Sequence, residues 1–252
     1  MTSGLSITVD VDGEAGLPDG GQGFGDRLTS RSERAYGLLR GLPRVLRALA
    51  EADAQATFYV PGVTALRHPH EIAELAADGH EVQHHGHAHR RPDTMDDPAQ
   101  RADVEHGLDA LAEVTGTRPL GYRAPGWELT HVTLRALVQG GFTFDSSLMG
   151  DDRPYPLQAT GASLIELPVH WSLDDAPHFA RTTDPHALLD VWLAELDAAH
   201  EEQRHLTVTL HPEILGRPHR VDVLRRLLAR AAGRGVPVLT HGHVAALVAP
   251  RL

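Results

Sequence analysis

Five histidines fall within residues 80–89, which read HEVQHHGHAH. His85 and His89 are four residues apart, the spacing that places two imidazoles on one side of a helical turn, as in helical zinc motifs. Two imidazoles and one carboxylate would form an open three-ligand site for one divalent metal ion. Zinc is the default ion, and cobalt, nickel and iron are chemically admissible. In a different register, His84 or His87 could replace either ligand.

Two aspartates lie at the end of the first apolar run, LSITVDV (5–11). Asp10 and Asp12 are two positions apart on an extended chain, so their carboxylates project to the same side. Two like charges this close would raise the pKa of one of them sharply, whereas a cation held by one carboxylate leaves the other ionised as a base. Alternatively, an aspartate at the end of a strand caps the following turn.

Three further polar residues lie at or near the ends of other apolar runs: Arg123 in GYRAPGW, Asp145 in FTFDSSL and His211 in VTLHP. Arg123 could pair with Asp10 and hold it ionised, although an ordinary surface arginine has the same appearance in a sequence. Asp145 is the nearest carboxylate partner for His211. A single histidine at a strand end is more often satisfied by structural hydrogen bonds than used in catalysis.

Two tryptophans and two irregular segments could shape a binding groove. Trp127 and Trp171 could stack on the apolar face of a sugar, although a buried tryptophan is as often part of the core. The glycine-rich stretch 14–37 is long for a connection inside a compact domain, and such loops are often functional. We expect this stretch and 170–179 to narrow the site.

Short apolar runs that fit buried strands alternate with segments of helical periodicity. The strand candidates are 5–11, 56–61, 81–85, 120–125, 163–169, 206–212 and 237–240, and the helix candidates are 42–53, 70–79, 98–116, 130–141, 184–203 and 221–235. This alternation predicts an α/β fold, an irregular (β/α) barrel of about seven strands, in a single domain spanning residues 1–252. The polar residues follow the strands, whose carboxyl ends meet at one rim in such folds.

Composition restricts the function classes. A net charge of -11 argues against nucleic acid or an anionic membrane as partner. The chain has no cysteine, and all 23 basic residues are arginine, which excludes thiolate ligands, a cysteine nucleophile and a Schiff-base lysine. The N-terminus shows no signal peptide and no apolar run is long enough to span a membrane, so we predict a cytoplasmic protein. Homo-oligomerisation stays open.

Five motifs together resemble one known family. In chain order they are TVDVDGE (8–14), HHGHAH (84–89), YRAPGW (122–127), FDSSL (144–148) and VTLHP (208–212). They are similar to the motifs of the polysaccharide deacetylase family with NodB homology, carbohydrate esterase family four. The resemblance runs from residue 5 to about 240 and implies a deformed TIM-like barrel and a carbohydrate or other small-molecule substrate.

The resemblance also implies residue roles. Asp12, His85 and His89 would bind the metal, which would polarise the acyl carbonyl. Tyr122, Trp127 and Trp171 would contact the substrate, and a backbone amide after the histidine motif or near Tyr122 would help to hold the oxyanion.

The remaining implied roles concern proton transfer. Asp10 would be the general base that activates water, with Arg123 orienting it and balancing its charge. His211 would be the acid that protonates the leaving amine, and Asp145 would tune it. An amine leaves poorly unless it is protonated, so an acid opposite the base is chemically necessary.

The chain departs from the common family pattern, since Val11 separates the two aspartates. With PVHWSLDDAP (168–177), this form resembles a cytoplasmic branch that includes peptidoglycan deacetylase-like and allantoinase-like or cyclic-imide-hydrolase-like proteins. Three hypotheses follow: a metal-dependent hydrolase that removes an acyl group from an N-acetylated amino sugar or related small amide, a cyclic-amide hydrolase of the same fold, and a non-catalytic carbohydrate or metal binder. Retention of Asp10, Arg123 and His211 together argues against the third.

Overall fold

The computed structural model describes residues 4–17, 27–159 and 162–251. Within them the strands form one eight-stranded sheet in the order β6-β7-β5-β4-β3-β2-β1-β8. The strands are β1 (Gly4–Asp10), β2 (Thr57–Val60), β3 (Glu81–His84), β4 (Gly121–Tyr122), β5 (Phe144–Asp145), β6 (Tyr155–Ala159), β7 (Ala162–Glu166) and β8 (His205–Leu210). All neighbours are parallel except the β6–β7 hairpin.

Helices connect the strands and cover the sheet. They are α1 (Leu28–Tyr36), α2 (Leu42–Glu51), α3 (Gly62–Arg67), α4 (Pro69–Ala77), α5 (Asp97–Thr115), α6 (His131–Gln139), α7 (Asp175–Phe179), α8 (Pro185–Glu201), α9 (Asp222–Arg234) and α10 (His241–Val248). The ends of α5 follow from its sequence: the Asp96 side chain accepts a hydrogen bond from the Ala99 amide, and Gly116 ends the helix with φ of 69°.

The largest apolar core lies between the central strands and the helices packed on them. β1, β2 and β8 are buried along their whole length, as expected of parallel strands covered on both faces. In β1 and β8 the buried residues alternate between apolar side chains and serine or threonine. Their side chains pack with α2, α8 and α9 around the fully buried Trp192. This core fixes the strands that carry the polar residues of the rim.

The predicted α/β barrel-like fold is confirmed, because the parallel sheet curls into a half-barrel. One strand prediction was wrong, and two strands were missed. Residues 237–240 form no strand, and only Val238 makes an isolated bridge to Leu5. The short strand β5 and the hairpin strand β6 were missed, the first because two residues show no periodicity.

Strand register brings the predicted site residues to one rim. Asp10 pairs with Tyr59, Val60 with His84, and Tyr122 with both His84 and Asp145. The residues just after these positions therefore emerge side by side at the carboxyl edge of the sheet. In this way the fold joins parts of the chain more than 100 residues apart: Arg123 donates a hydrogen bond to Asp10.

Candidate active site

Asp12, His85 and His89 form a cluster suited to a divalent metal ion. Asp12 Oδ1 lies 3.6 Å from His85 Nε2 and 3.2 Å from His89 Nε2, and one ligand atom from each residue lies within 4.8 Å of the others. Asp12 Oδ1 is buried and has no hydrogen-bond partner among the described residues. One unpartnered carboxylate oxygen facing two imidazole nitrogens fits an ion such as zinc.

Local structure fixes the protonation state of His85. Its Nδ1 lies 2.8 Å from the carbonyl oxygen of Arg123, to which it donates a hydrogen bond, so Nε2 is left unprotonated toward Asp12. Burial lowers the pKa of His85 to about 4, despite the opposing charge of Asp10. The ring is therefore neutral and able to ligate at neutral pH.

The loop after β3 brings His89 back toward His85 through two left-handed residues. Gly86 has φ of 70° and His89 itself has φ of 52°. The Asp103 carboxylate accepts hydrogen bonds from the amides of His87 and Ala88, which holds the loop in this shape. The two imidazoles thus meet across a tight loop rather than on the helical turn that the spacing predicted.

The alternative register with His84 or His87 is not supported by the geometry. The Gly86 amide donates to His84 Nδ1, and His84 Nε2 lies 3.0 Å from the Val104 carbonyl, so both nitrogens are engaged with the backbone. Neither residue belongs to the cluster of ligand atoms around Asp12.

A buried ion pair joins Asp10 to Arg123. Arg123 Nη1 donates to Asp10 Oδ1 at 2.7 Å and to the Thr8 hydroxyl at 2.9 Å. The remaining guanidinium nitrogens donate to the carbonyl and hydroxyl of Ser146, and the guanidinium lies over the Tyr59 ring at 4.2 Å. Because Arg123 is fully buried and every contact is directional, it sets the position of the Asp10 carboxylate.

His211 pairs with Asp175, and the predicted pairing with Asp145 is wrong. His211 Nδ1 donates to Asp175 Oδ1 at 2.7 Å, and the backbone amide of His211 donates to Asp175 Oδ2. Asp174 lies 3.7 Å from the same Nδ1. Burial alone would lower the pKa of His211, but these two carboxylates hold it well above its usual value. His211 is therefore protonated at neutral pH.

Asp145 is engaged elsewhere, in a buried pair with Glu166. Its Oδ1 accepts a hydrogen bond from the Ser147 hydroxyl, while Glu166 Oε1 accepts from the amides of Ser147 and Leu148. Burial raises the pKa of Asp145 to about 6 and that of Glu166 well above its usual value. The pair therefore retains a proton.

A cavity of about 380 Å³ brings these groups together. Asp10, Asp12, His85, His89, Asp174 and His211 line it, as do Arg34, Trp127 and Trp171. The rings of Trp127 and Trp171 lie 4.6 Å apart at 33°, and Trp171 is 46% exposed. Both tryptophans thus line the cavity.

Tyr122 does not line this cavity, so the geometry does not support the predicted contact of its side chain with a substrate. Its ring is 1% exposed and packs edge-on against Phe142 beside His84. The Arg123 amide donates to the His84 carbonyl and is not available to an oxyanion. Of the predicted covering stretch 14–37, residues 18–26 lie outside the described residues, and α1 occupies its C-terminal part.

Sequence reasoning missed four residues near the reaction centre: Arg34, Asp174, Asp175 and Glu213. Asp174 and Asp175 lie in the WSLDDAP segment, and Glu213 directly follows the VTLHP motif. Acidic residues within or beside the motifs could therefore have been added to the candidate site residues. Arg34 lies in a stretch without any motif, and only the tertiary structure places it beside Asp12.

The described residues thus bring an Asp–His–His cluster, the buried Asp10–Arg123 pair and the carboxylate-bound His211 to one cavity. The sequence model for polysaccharide deacetylases matches residues 36–144. A crystal structure of a candidate polysaccharide deacetylase from Mycobacterium smegmatis is 39% identical, with a TM-score of 0.92 over 99% of this chain and 91% of that one. A peptidoglycan deacetylase from Helicobacter pylori is 27% identical, with 85% of each chain covered.

The chain belongs to the polysaccharide deacetylase family and is a hydrolase of that family. The crystal structure of Puue allantoinase shares the fold, with a TM-score of 0.89 over 98% of this chain and 90% of that one, at 23% identity. Over the ranges that the structure describes, no helix combines the length and apolarity needed to cross a bilayer.

Proposed function

We propose that the protein is a metal-dependent amide hydrolase that removes an acyl group, most often acetyl, from an N-acylated amino sugar or a related small substrate. The observation that carries the proposal is Asp12 Oδ1, a buried carboxylate oxygen without a donor among the described residues, placed 3.6 and 3.2 Å from two imidazole nitrogens. These three atoms would hold one divalent ion, with zinc the default.

A bound ion of this kind polarises an acyl carbonyl and makes hydroxide available near pH 7. The protein's own residues would supply the remaining chemistry. Asp10 would accept the proton of the attacking water, because its second oxygen is within reach of the cavity while Arg123 holds the first.

His211 would donate a proton to the leaving nitrogen. Its Nδ1 is bonded to Asp175, so Nε2 of the protonated ring is the atom able to deliver the proton. Asp10 and His211 line the same cavity, and the pKa of His211 is raised by Asp175 and Asp174 against the effect of burial. One group is thus suited to accept a proton and the other to donate one.

The cavity supports a small substrate. A volume of about 380 Å³ is near the lower end of small-molecule sites, roughly 300–1,000 Å³. The stacked Trp127 and Trp171 offer an aromatic wall against which an apolar sugar face or a flat ring could lie.

Chelation tests the metal requirement. Purified protein would be treated with a chelator, freed of it by gel filtration and assayed on N-acetylglucosamine oligomers with and without added Zn²⁺ or Co²⁺. We expect the treated protein to lose turnover and to regain it with either ion. Full activity of metal-free protein would contradict the proposal.

A matched pair of variants separates binding from catalysis. Asp10→Asn should retain the metal and lose about 10²–10⁴-fold in turnover, whereas Asp12→Asn should lose both metal and turnover. Equal metal loss in the two variants would contradict the division of roles between these carboxylates.

The cavity volume also favours a second candidate, hydrolysis of a cyclic amide, because one flat ring fits a space of this size. A panel of N-acetylglucosamine oligomers, hydantoins and cyclic imides distinguishes the two candidates. Turnover of the cyclic amides alone would replace the first candidate, and turnover of neither class with metal bound would leave a binding protein.

A further inference from the structure

Arg34 reaches the candidate metal cluster from outside the family motifs. Its Nη1 lies 3.2 Å from Asp12 Oδ2 and 2.5 Å from Glu213 Oε1, and it donates to both. The Arg34 side chain is 28% exposed, while those of Asp12 and Glu213 are 4% and 5% exposed. A partly buried guanidinium thus joins two buried carboxylates.

The two oxygens of Asp12 have different partners. Oδ2 is bonded to Arg34, and Oδ1 faces His85 and His89 without a donor among the described residues. An oxygen that already accepts a hydrogen bond from a guanidinium is a poorer metal ligand than its free neighbour. The arrangement leaves Asp12 one oxygen for an ion, which is monodentate geometry.

The helix that carries Arg34 is attached to the rest of the protein by polar and aromatic contacts, among them Glu33–Arg217 and Tyr36–Arg44. None of the nine residues of α1, Leu28–Tyr36, is buried. Its C-terminal end approaches Glu213 closely at Gly37, where a Cβ atom would lie 3.0 Å from Glu213 Oε2. The close approach at Gly37 therefore brings Arg34 within reach of Glu213 and Asp12.

We propose that Arg34 is a positioning residue for Asp12: together with Glu213 it holds Oδ2, so that only Oδ1 is presented to the metal. This inference rests on the proposed metal site and adds to it a residue outside the ligand set. Partners that orient a metal ligand typically contribute about 10–100-fold in metal affinity. This role of Arg34 differs from substrate binding, because Arg34 would affect metal affinity in the absence of substrate.

Cobalt substitution tests the inference without an activity assay. Metal-free wild-type protein and the Arg34→Gln variant would be titrated with Co²⁺, against a competing chelator for affinity and by visible absorption for geometry. We expect Arg34→Gln to lose about 10–100-fold in affinity and to show weaker d–d absorption, because a bidentate Asp12 raises the coordination number. Arg34→Lys, which retains a positive donor, should recover part of the affinity.

Tyr36→Phe is the matched control. It removes the hydroxyl that accepts a hydrogen bond from Arg44 at the end of α1, and so weakens the attachment of the helix without changing a contact to Asp12. It should bind Co²⁺ as the wild type does. Thermal unfolding would verify that each variant is folded, and Arg34→Lys serves if Arg34→Gln is not.

The outcomes separate the two proposals. Unchanged or increased Co²⁺ affinity in both Arg34 variants would overturn the positioning role and leave the metal site intact. An equal loss in Tyr36→Phe would also overturn it, because the effect would then belong to the attachment of α1. Failure of wild-type protein to bind Co²⁺ would overturn the metal proposal and this inference together.

Discussion

Two clusters of the same residue types lie at one cavity, and a histidine in each has its pKa shifted in the opposite direction. Asp12, His85 and His89 form the first, and Asp174, Asp175 and His211 form the second; either set could hold a metal by the proximity of its ligand atoms alone. Yet the pKa of His85 is lowered to about 4, mainly by burial, and that of His211 is held well above its usual value by Asp175 and Asp174.

The difference lies in the partner of the second ring nitrogen. His85 Nδ1 donates to a neutral backbone carbonyl, and the charges of Asp10 and Asp12 do not offset the effect of burial on its pKa. His211 Nδ1 donates to the buried Asp175 carboxylate, which stabilises the protonated ring. Proximity of ligand atoms therefore does not identify a metal site, because a cluster already closed by a short imidazole–carboxylate hydrogen bond is better suited to proton transfer.

The largest effect should come from breaking the first cluster. His85→Ala removes a neutral imidazole ligand and should abolish both metal retention and turnover, measured by metal analysis of the purified variant and by an amide hydrolysis assay. His106→Ala is the control, since it removes an exposed imidazole outside the cluster. Wild-type metal content in His85→Ala would place the ion elsewhere, with the second cluster as the first location to test.

A smaller effect should come from the second cluster. Asp175→Asn removes the carboxylate that raises the pKa of His211 and should lower turnover by about 10²-fold. The acid must be protonated to act, so activity falls as pH rises through its pKa. Lowering that pKa moves the alkaline limb of the pH–rate profile to lower pH, while metal content stays at the wild-type level.

Asp174→Asn sharpens this prediction. Asp174 lies 3.7 Å from His211 Nδ1, against 2.7 Å for Asp175, so its removal should shift the alkaline limb in the same direction by a smaller amount. An unshifted limb in Asp175→Asn would contradict the assignment of His211 as the acid.

The sequence was sufficient for the fold class and for naming, from motif order, residues that lie close together. The alternation of apolar runs and helical segments predicted the α/β sheet. The motifs named Asp12, His85 and His89, which the fold brings together across a loop and not on the helical turn that the spacing predicted. The pairing of His211 was mispredicted because it depends on tertiary placement: Asp174 forms a bridge to Thr209 on β8, which brings the neighbouring Asp175 to His211. Arg34 could not be predicted, since no motif surrounds it.

A buried pair of carboxyl groups outside the cavity lining, Asp145 and Glu166, extends the comparison. Asp145 Oδ2 and Glu166 Oε2 are buried without an N–H or O–H donor among the described residues, so a hydrogen bond between the two groups requires one proton. Burial is the largest cause of the raised pKa of both. The same effect that keeps His85 neutral thus keeps this pair protonated.

The smallest predicted effect concerns the buried Asp145–Glu166 pair and is a pH dependence of the free energy of unfolding. Because the folded pKa values are raised, the pair's stabilising contribution is complete below the ordinary carboxyl pKa and is lost as pH rises through about 6 and above. In Glu166→Gln the side-chain amide can donate a hydrogen bond to Asp145 at any pH. Its oxygen can still accept from the amides of Ser147 and Leu148. We expect its free energy of unfolding relative to wild type to rise by roughly 1–3 kcal/mol between pH 5 and pH 8. Urea unfolding of both proteins at pH 5 and pH 8 measures this change. Glu71→Gln, which alters an exposed carboxyl group, is the control. If the stability difference between Glu166→Gln and wild type does not depend on pH, the pair does not retain a proton.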